Sequence, residues 1–311
     1  MVSTKVKGYI LGSIAAASYG TNPLFALPLY AGGMNPDSVL LLRYAVAIPI
    51  VALMIIQRGR SFKVGCRELA ILVALGVLMA LSSLTLFLSY NYMDAGIAST
   101  LLFVYPIMVA VIMAAVFKER ISKVTTACIA MALCGIALLY NGDGESTLSL
   151  AGTLIVMASS LSYAIYIVAV NRTGLGHLAT LTVTFYVLLF GITLFAGRIA
   201  SGQTLVMPSN MLMWGCVLGL AVLPTAVSFI CTTGAIQYIG STPTAILGAL
   251  EPVTAVVIGI AVFGEKLTLP NLIGLILIVA AVSGVIGGSS LTKLLTHRRR
   301  MFPRLRRGSK D

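Results

Sequence analysis

Charged side chains are scarce in this sequence. Asp, Glu, Lys and Arg together account for 10% of the 311 residues, whereas hydrophobic residues account for 59%. A water-soluble domain carries about 25% charged residues, so this composition excludes a soluble globular protein. The mean hydropathy of +1.02 indicates that lipid surrounds most of the chain.

Residues that build chemical centres are also few. The sequence contains two histidines, His177 and His297, and five cysteines that show no paired spacing. This pattern argues against a metal site, a disulfide framework and a buried histidine relay, and we expect no cofactor. A nucleophile–base set is not recognisable either, so the sequence does not predict an enzyme.

Long hydrophobic runs fill the sequence instead. A membrane-spanning helix needs about 20 predominantly apolar residues, and continuous runs of this length are typical of helices rather than of a membrane barrel. Ten segments qualify, at residues 8–30, 36–57, 69–92, 97–117, 122–141, 149–170, 178–197, 210–237, 243–263 and 268–288. The predicted fold class is therefore an all-α integral membrane protein with ten transmembrane helices.

The basic residues predict the orientation of these helices. The net charge of +12 comes from Lys and Arg residues that concentrate on one side of the ten predicted spans. The positive-inside rule assigns that side to the cytoplasm, so we expect both termini to be cytoplasmic. The basic tail at residues 291–311 is interpreted as a topology signal that also attracts anionic lipid. Nucleic-acid binding is not expected, because no folded basic module accompanies the tail.

The sequence contains an internal repeat. The segment YMDAGIASTLLFVYPIMVAVIMAAVFKERIS from Tyr92 aligns with YIGSTPTAILGALEPVTAVVIGIAVFGEKLT from Tyr238, a shift of 146 positions. A shift of 144 also brings Gly8 onto Gly152. Two copies of one unit therefore make up the chain.

The two copies are predicted to occupy residues 1–146 and 147–290, each with five spans. Because five is an odd number, the second copy begins on the opposite side of the membrane and the repeat is inverted. Inverted repeats are typical of secondary transporters. Glu119 and Glu265 end equivalent helices of the two copies; we interpret them as interfacial caps, with a role in gating as the alternative.

Prolines interrupt equivalent helices in the two copies. Pro106 and Pro252 each remove a backbone donor inside a span, which frees the carbonyl groups of Leu102 and Gly248. Lipid offers no donor for such a group, so protein or a water-filled cavity must satisfy it. The breaks either serve packing alone or shape a cavity that flexes during transport. Asn22-Pro23 predicts a third break, in the first span.

These features together resemble a known family. Two five-helix copies, each with a proline-bearing fourth helix that ends in Phe-x-Glu-(Arg/Lys), are similar to the EamA branch of the drug/metabolite transporter superfamily. The motifs that carry the resemblance are FKERIS at 117–122, ALEPV at 249–253, FGEKLT at 263–268 and the Arg43-Tyr44 pair. The resemblance covers residues 8–288. It implies a bacterial inner-membrane carrier, often an exporter of amino acids or related metabolites, that works without ATP.

A polar and aromatic helix face occurs in both copies. Tyr19 and Asn22 are three residues apart, and their repeat equivalents Tyr163 and Tyr166 have the same spacing, so each pair lies on one side of its helix. The two faces are candidate walls of a shared substrate pocket. The alternative is that these tyrosines pack between helices with satisfied hydroxyls. Span eight carries a second polar series, Thr225, Ser228, Thr232 and Gln237, which also suits interhelical contacts.

Two ionisable residues lie within predicted spans, Arg43 in the second and Glu251 in the ninth. Charge at membrane depth is costly, so both are candidate functional residues. The repeat aligns Glu251 with Tyr105 and Arg43 with Phe185, which means that each charge is present in one copy alone. Whether the two charges pair is left open. Glu251 is either a carrier of a coupled proton or a carboxyl that donates to a carbonyl freed near Pro252.

The sequence therefore favours a secondary carrier for a small solute. Its predicted substrate contacts are Tyr19, Asn22, Arg43, Tyr105, Tyr163, Tyr166 and Glu251. The alternative is a membrane sensor or interaction protein, and an intramembrane enzyme ranks below it. The expected partners are the lipid bilayer and a small-molecule substrate; proton coupling, the identity of the substrate and the oligomeric state stay open.

Overall fold

The computed structural model describes residues 4–118, 126–127, 130–131, 134–135, 138, 149–175, 178–239, 244, 247–248, 250–264, 269–270, 272–281 and 284. Several predictions lie outside these residues: the roles of Glu119 and Glu265, most of the fifth span, the boundary between the copies at 146 and the basic tail at 291–311.

All regular elements in the described ranges are helical. The first half of the chain contains α1 (Thr4–Gly20), α2 (Asn22–Ala31), α3 (Pro36–Gln57), α4 (Cys66–Ser89), α5 (Ala95–Leu102) and α6 (Tyr105–Phe117). The second half contains α7 (Leu150–Arg172), α8 (Thr180–Ala200), α9 (Met211–Ala221), a π-helical turn (Val222–Val227), α10 (Ser228–Ile239), α11 (Leu250–Phe263) and α12 (Leu272–Ala281).

Six helical segments of the described chain are long and apolar enough to cross a membrane. They are Pro36–Gln57, Cys66–Ser89, Ala95–Phe117, Leu150–Val170, Thr180–Ala200 and Met211–Ile239. These segments coincide with predicted spans two, three, four, six, seven and eight, while α11 and α12 are shorter apolar helices within predicted spans nine and ten. The all-helical membrane fold is confirmed, and the number of ten helices stays a prediction.

Side-chain caps show why several helices begin where they do. Asn35 accepts a hydrogen bond from the Ser38 N–H at the start of α3, and Asn210 caps α9 in the same way. Ser149 is the corresponding residue before α7. Short polar side chains satisfy amide groups that the first turn leaves without a partner, so they mark the helix starts in an otherwise apolar sequence.

The predicted breaks occur, but they divide the spans into shorter helices rather than bending continuous ones. The first span breaks at Thr21, and Asn22-Pro23 opens α2. The fourth span breaks after Leu102, and Pro106 lies in the first turn of α6. Proline is well tolerated at a helix start, because the amide of the first turn has no partner within the helix.

The freed carbonyl groups find donors inside the protein. The hydroxyl of Ser160 in α7 lies 3.1 Å from the Leu102 carbonyl that Pro106 leaves without an N–H, and it also reaches the carbonyls of Val156 at 3.0 Å and Leu101 at 3.2 Å. The Gly248 carbonyl accepts the backbone N–H of Glu251 at 2.9 Å. Of the two predicted sources of a donor, protein or a water-filled cavity, the structure shows protein groups at both positions.

The helices pack in a pattern that is unchanged when the two halves are exchanged. α1 packs along α10, and its equivalent α7 packs along α4, which is the equivalent of α9 and α10. α3 contacts α8, and α5 contacts α11, so equivalent spans also meet each other. The first helix of each half is therefore seated against the third span of the other half.

Equivalent residues make equivalent contacts at these interfaces. A Cβ atom placed on Gly8 would lie 3.0 Å from the Cβ of Tyr238, and one placed on Gly152 would lie 2.8 Å from the Cβ of Tyr92. The repeat relates Gly8 to Gly152 and Tyr92 to Tyr238, so the same close approach is built twice. The equivalence predicted from the sequence is confirmed at these residues.

An ion pair closes one end of the α3–α8 interface. Arg198 contacts Asp37 through two bonds, Nε to Oδ1 at 2.5 Å and Nη2 to Oδ2 at 3.2 Å. Asp37 is buried, whereas Arg198 is partly exposed. This ion pair therefore joins α3 and α8 at one end of the two helices.

α4 and α8 cross at a pair of glycines. A Cβ atom on Gly76 would lie 2.9 Å from the Val187 carbonyl oxygen and 3.0 Å from the Gly191 nitrogen. Both contacts are with backbone atoms, which cannot rotate away as a side chain does. Glycine at position 76 therefore permits the close approach of these two helices.

Replacing Gly76 by alanine is expected to lower the melting temperature of the purified protein. The added methyl group forces α4 away from α8, and overpacking of this kind costs about 1–3 kcal/mol. Gly215→Ala is the matched control, since no atom lies within 4 Å of the Cβ position there. Thermal unfolding in detergent measures both variants, and equal melting temperatures would contradict the crossing described here.

Candidate functional site

A cavity lies between the two halves of the chain. Its volume is about 20 Å³, which is room for about one water molecule or a chemical group of that size. Its walls come from α1 and the start of α6 in the first half, and from α7, α10 and α11 in the second. The lining residues are Gly12, Ala15, Ala16, Tyr19, Tyr105, Tyr163, Ser228, Thr232, Thr244, Gly248 and Glu251.

The structure brings four of the seven predicted site residues together at this cavity: Tyr19, Tyr105, Tyr163 and Glu251. The other three predicted residues, Asn22, Arg43 and Tyr166, are buried but do not line it. The candidate site is thus smaller than the sequence predicts, and it contains one ionisable residue of the predicted two.

Tyrosine rings form much of the cavity wall. The rings of Tyr105 and Tyr163 lie 4.7 Å apart at an angle of 74°, in an edge-to-face contact. Tyr166, one turn after Tyr163 on α7, stacks behind it with the ring centroids 6.0 Å apart and the planes 8° from parallel. These contacts hold the rings in place and give the cavity a rigid aromatic surface.

Tyr19, Tyr105 and Tyr163 form no hydrogen bond through their hydroxyl groups to another residue in the described part of the chain. This observation favours the role of a cavity wall over that of tyrosines packed with satisfied hydroxyls. Each hydroxyl can donate to or accept from a molecule in the cavity.

Glu251 is the acidic residue of the cavity. It lies in the first turn of α11, is 5% exposed, and its Oε1 atom is buried without a hydrogen-bond partner among the residues that the structure describes. One interpretation of the sequence was that the Glu251 carboxyl donates to a carbonyl freed near Pro252. The Gly248 carbonyl already accepts a hydrogen bond from the backbone N–H of Glu251. A buried polar atom without a partner is costly, so this carboxyl is able to bind a proton or a ligand.

Arg43 is buried in a separate polar cluster. Its Nε atom donates to Thr225 Oγ1, Nη1 donates to Asn22 Oδ1 at 3.0 Å, and Nη2 donates to the Pro224 carbonyl at 3.1 Å. The guanidinium also lies over the ring of Phe87, 5.4 Å from the centroid. Three neutral groups thus accept hydrogen bonds from this cation.

The open question of a pair between Arg43 and Glu251 is thereby answered. Asp37–Arg198 is the salt bridge found in the described chain, and Arg43 is not part of one. The partners of Arg43 are neutral groups of α2 and the π-helical turn, and Oε1 of Glu251 has no hydrogen-bond partner among the described residues. The two side chains therefore form no salt bridge in the described chain.

The π-helical turn supplies two of the three groups that bind Arg43. Pro224 has no N–H for the carbonyl of Leu220, and the hydroxyl of Thr225 donates to that carbonyl instead, at 2.6 Å. The same oxygen accepts the Nε hydrogen of Arg43. Turns of this kind are rare and occur often at functional sites. The sequence identifies Thr225 as part of a polar series, but it does not predict the π-helical turn that brings this side chain to Arg43.

The rest of the polar series in span eight makes contacts between helices and contributes to the cavity. Ser228 donates to the Ala15 carbonyl of α1 at 3.0 Å, and Gln237 contacts Thr180 of α8. These interhelical contacts were predicted and are confirmed. Ser228 and Thr232 also line the cavity.

Small residues of α1 belong to the site but are not among the predicted ones. Gly12, Ala15 and Ala16 line the cavity beside Tyr19. They lie three or four residues apart from one another or from Tyr19, which is the spacing of one helix face. Their short side chains leave the space that the tyrosine rings surround.

Thr225→Val is expected to destabilise the protein. Valine has nearly the same shape but removes the acceptor for Arg43 Nε and the donor for the Leu220 carbonyl, and a buried polar group left unsatisfied costs about 1–3 kcal/mol. Thr193→Val is the control, because Thr193 is exposed and its hydroxyl bonds only within its own helix. Melting temperatures in detergent measure the difference; no additional loss in Thr225→Val would contradict the role assigned to this hydroxyl.

Comparison with known proteins identifies the family. The profile of the EamA-like transporter family matches residues 6–141 and 150–287. A protein of Clostridium kluyveri named "Uncharacterized transporter" is 24% identical over 92% of this chain and 94% of its own length. An "Uncharacterized transporter" of Archaeoglobus fulgidus is 30% identical, and the match covers 61% of this chain and 66% of that protein.

A solved structure has the same fold. It superposes with a TM-score of 0.68 at 18% sequence identity, and the match covers 93% of this chain and 98% of the solved one. The similarity extends through both halves, as does the match to the family. The chain therefore belongs to the EamA-like transporter family and is a multi-pass membrane transporter.

Proposed function

We propose that this transporter is a secondary carrier that exports small metabolites, amino acids or related amphipathic solutes, across the bacterial inner membrane. The observation that carries the proposal is the cavity between the halves, because Tyr19 and Tyr105 of the first half and Tyr163 and Glu251 of the second share it. A site built from both halves opens to either side when one half rocks against the other.

The proposed mechanism is alternating access between two inverted five-helix copies, with both termini in the cytoplasm. The exchange-symmetric packing of α1 on α10 and of α7 on α4 supports it, since two equivalent interfaces allow two related arrangements of the halves. The breaks near Pro106 and Pro252 border the cavity at Tyr105 and Glu251. Short helices that end at the site can reorient without bending a continuous helix.

Glu251 is the proposed proton carrier. Its Oε1 atom has no partner in the described chain, and the side chains that share its cavity wall, Tyr19, Tyr105 and Tyr163, carry no charge at neutral pH. A proton bound here neutralises the carboxyl, and its release to the other side of the membrane would drive solute movement. Tyr19, Tyr105 and Tyr163 are the proposed substrate contacts beside it, while Asn22, Arg43 and Tyr166 act through the structure of the surrounding wall.

Flux into liposomes tests the carrier proposal. Purified protein is reconstituted and supplied with a panel of amino acids and related metabolites, with and without a pH gradient. Uptake of at least one solute above protein-free liposomes is expected, and it should increase with the gradient. Absence of flux for every solute, in protein that is shown to be folded, would overturn the proposal.

Glu251→Gln is expected to abolish accumulation driven by the pH gradient while leaving the protein folded, because glutamine keeps the shape of the side chain but cannot carry the proton. Glu68→Gln is the control, because Glu68 caps the exposed start of α4 and is far in sequence from the cavity lining. This variant should accumulate solute normally. Unchanged accumulation by Glu251→Gln would make Glu251 a structural residue.

A further inference from the structure

We propose that the cavity selects solutes with a cationic amine or quaternary ammonium head and without a carboxylate group. This inference rests on the proposed carrier function and narrows its substrate class from amino acids and related solutes to amines. It follows from the charge of the lining, from the shape of the aromatic wall and from the way in which Arg43 is bound.

The first argument is charge. Glu251 contributes a carboxyl to the cavity, and no Lys, Arg or His is among the lining residues that the structure describes. The buried Oε1 atom has no partner. A cationic head supplies the counter-charge that an ionised carboxyl at this depth lacks, and a charge-assisted hydrogen bond from an ammonium group is stronger than a neutral one.

The second argument is the aromatic wall. Tyr105 and Tyr163 meet edge to face at 4.7 Å and 74°, and both line the cavity together with Tyr19. Cations bind to the faces of such rings, and aromatic cages of this type recognise methylated ammonium groups. The hydroxyls of the rings, which bond to no other residue in the described part of the chain, add acceptors for the N–H groups of a primary amine.

The third argument excludes a carboxylate on the solute. A buried carboxylate is stabilised most strongly by a cationic donor, and Arg43 is the cation among the predicted site residues. Arg43 does not line the cavity, and three of its five N–H groups already bond to Thr225, Asn22 and the Pro224 carbonyl. A carboxylate in the cavity would therefore meet the like charge of Glu251 without a cation in the described lining. An amine therefore fits the cavity better than the corresponding amino acid.

Matched probes that differ in the head group test this inference. Tyramine, tyrosol, tyrosine and 3-(4-hydroxyphenyl)propionate share one aromatic body and carry a cationic, neutral, zwitterionic and anionic head. Choline and 3,3-dimethyl-1-butanol form a second pair that differs in charge alone. Binding to the full-length protein in detergent is measured by calorimetry.

Tyramine is expected to bind at least 10-fold more tightly than tyrosol, tyrosine and the propionate, and choline at least 10-fold more tightly than its neutral isostere. Glu251→Gln should abolish both preferences, so that tyramine binds no more tightly than tyrosol and choline no more tightly than its neutral isostere. Tyr163→Leu should weaken choline more than the neutral isostere, and it provides a second test if Glu251→Gln does not fold.

Equal or tighter binding of the neutral, zwitterionic or anionic probes would overturn the inference, and so would failure of both cations to bind. The liposome assay separates this result from the fate of the carrier proposal. If the protein transports amino acids without preferring amines, the carrier proposal stands and the inferred specificity for amines is wrong. If the protein binds cations tightly but transports none of the probes, the inferred binding site stands and the carrier proposal is wrong.

Discussion

Lipid offers no hydrogen bonds, and this constraint governs where the helices of the transporter are allowed to break. Every backbone group within the membrane must find its partner inside the protein. The hydroxyl of Ser160 satisfies the carbonyl of Leu102 ahead of Pro106, and the hydroxyl of Thr225 satisfies that of Leu220 ahead of Pro224. At these two prolines a specific hydroxyl lies against the freed carbonyl, which stabilises irregular backbone beside the cavity and the buried cation.

A symmetric scaffold carries an asymmetric site. The first helix of each half packs against the third span of the other half, and Gly8 and Gly152 make equivalent contacts. At the cavity, the equivalent positions Tyr105 and Glu251 face the same space with different chemistry. The duplicated helices therefore supply shape and the possibility of two related arrangements, whereas the residues that differ between the copies supply the charge.

Periodicity and spacing predict the features that depend on local sequence. Apolar run length predicts the spans, the three-residue spacing on α7 predicts that Tyr163 and Tyr166 share a face, and proline predicts the breaks. The pairing of Arg43 was not predictable, because position along a helix gives depth in the membrane but not which helices are neighbours. Its actual partners depend on a π-helical turn, where one additional residue per turn rotates Thr225 toward the guanidinium.

The packing of α1 against a helix of the other half has a consequence for biosynthesis. Ser228 of α10 holds the backbone of α1 at Ala15, and 213 positions separate the two residues. At a synthesis rate of about 5–20 residues per second, α1 waits roughly 10 to 40 s in the membrane before this partner has been made. During that interval its cavity face, with Gly12 and Tyr19, is covered by lipid or by the insertion machinery. The first half of this transporter therefore completes its packing only after the second half has been synthesised.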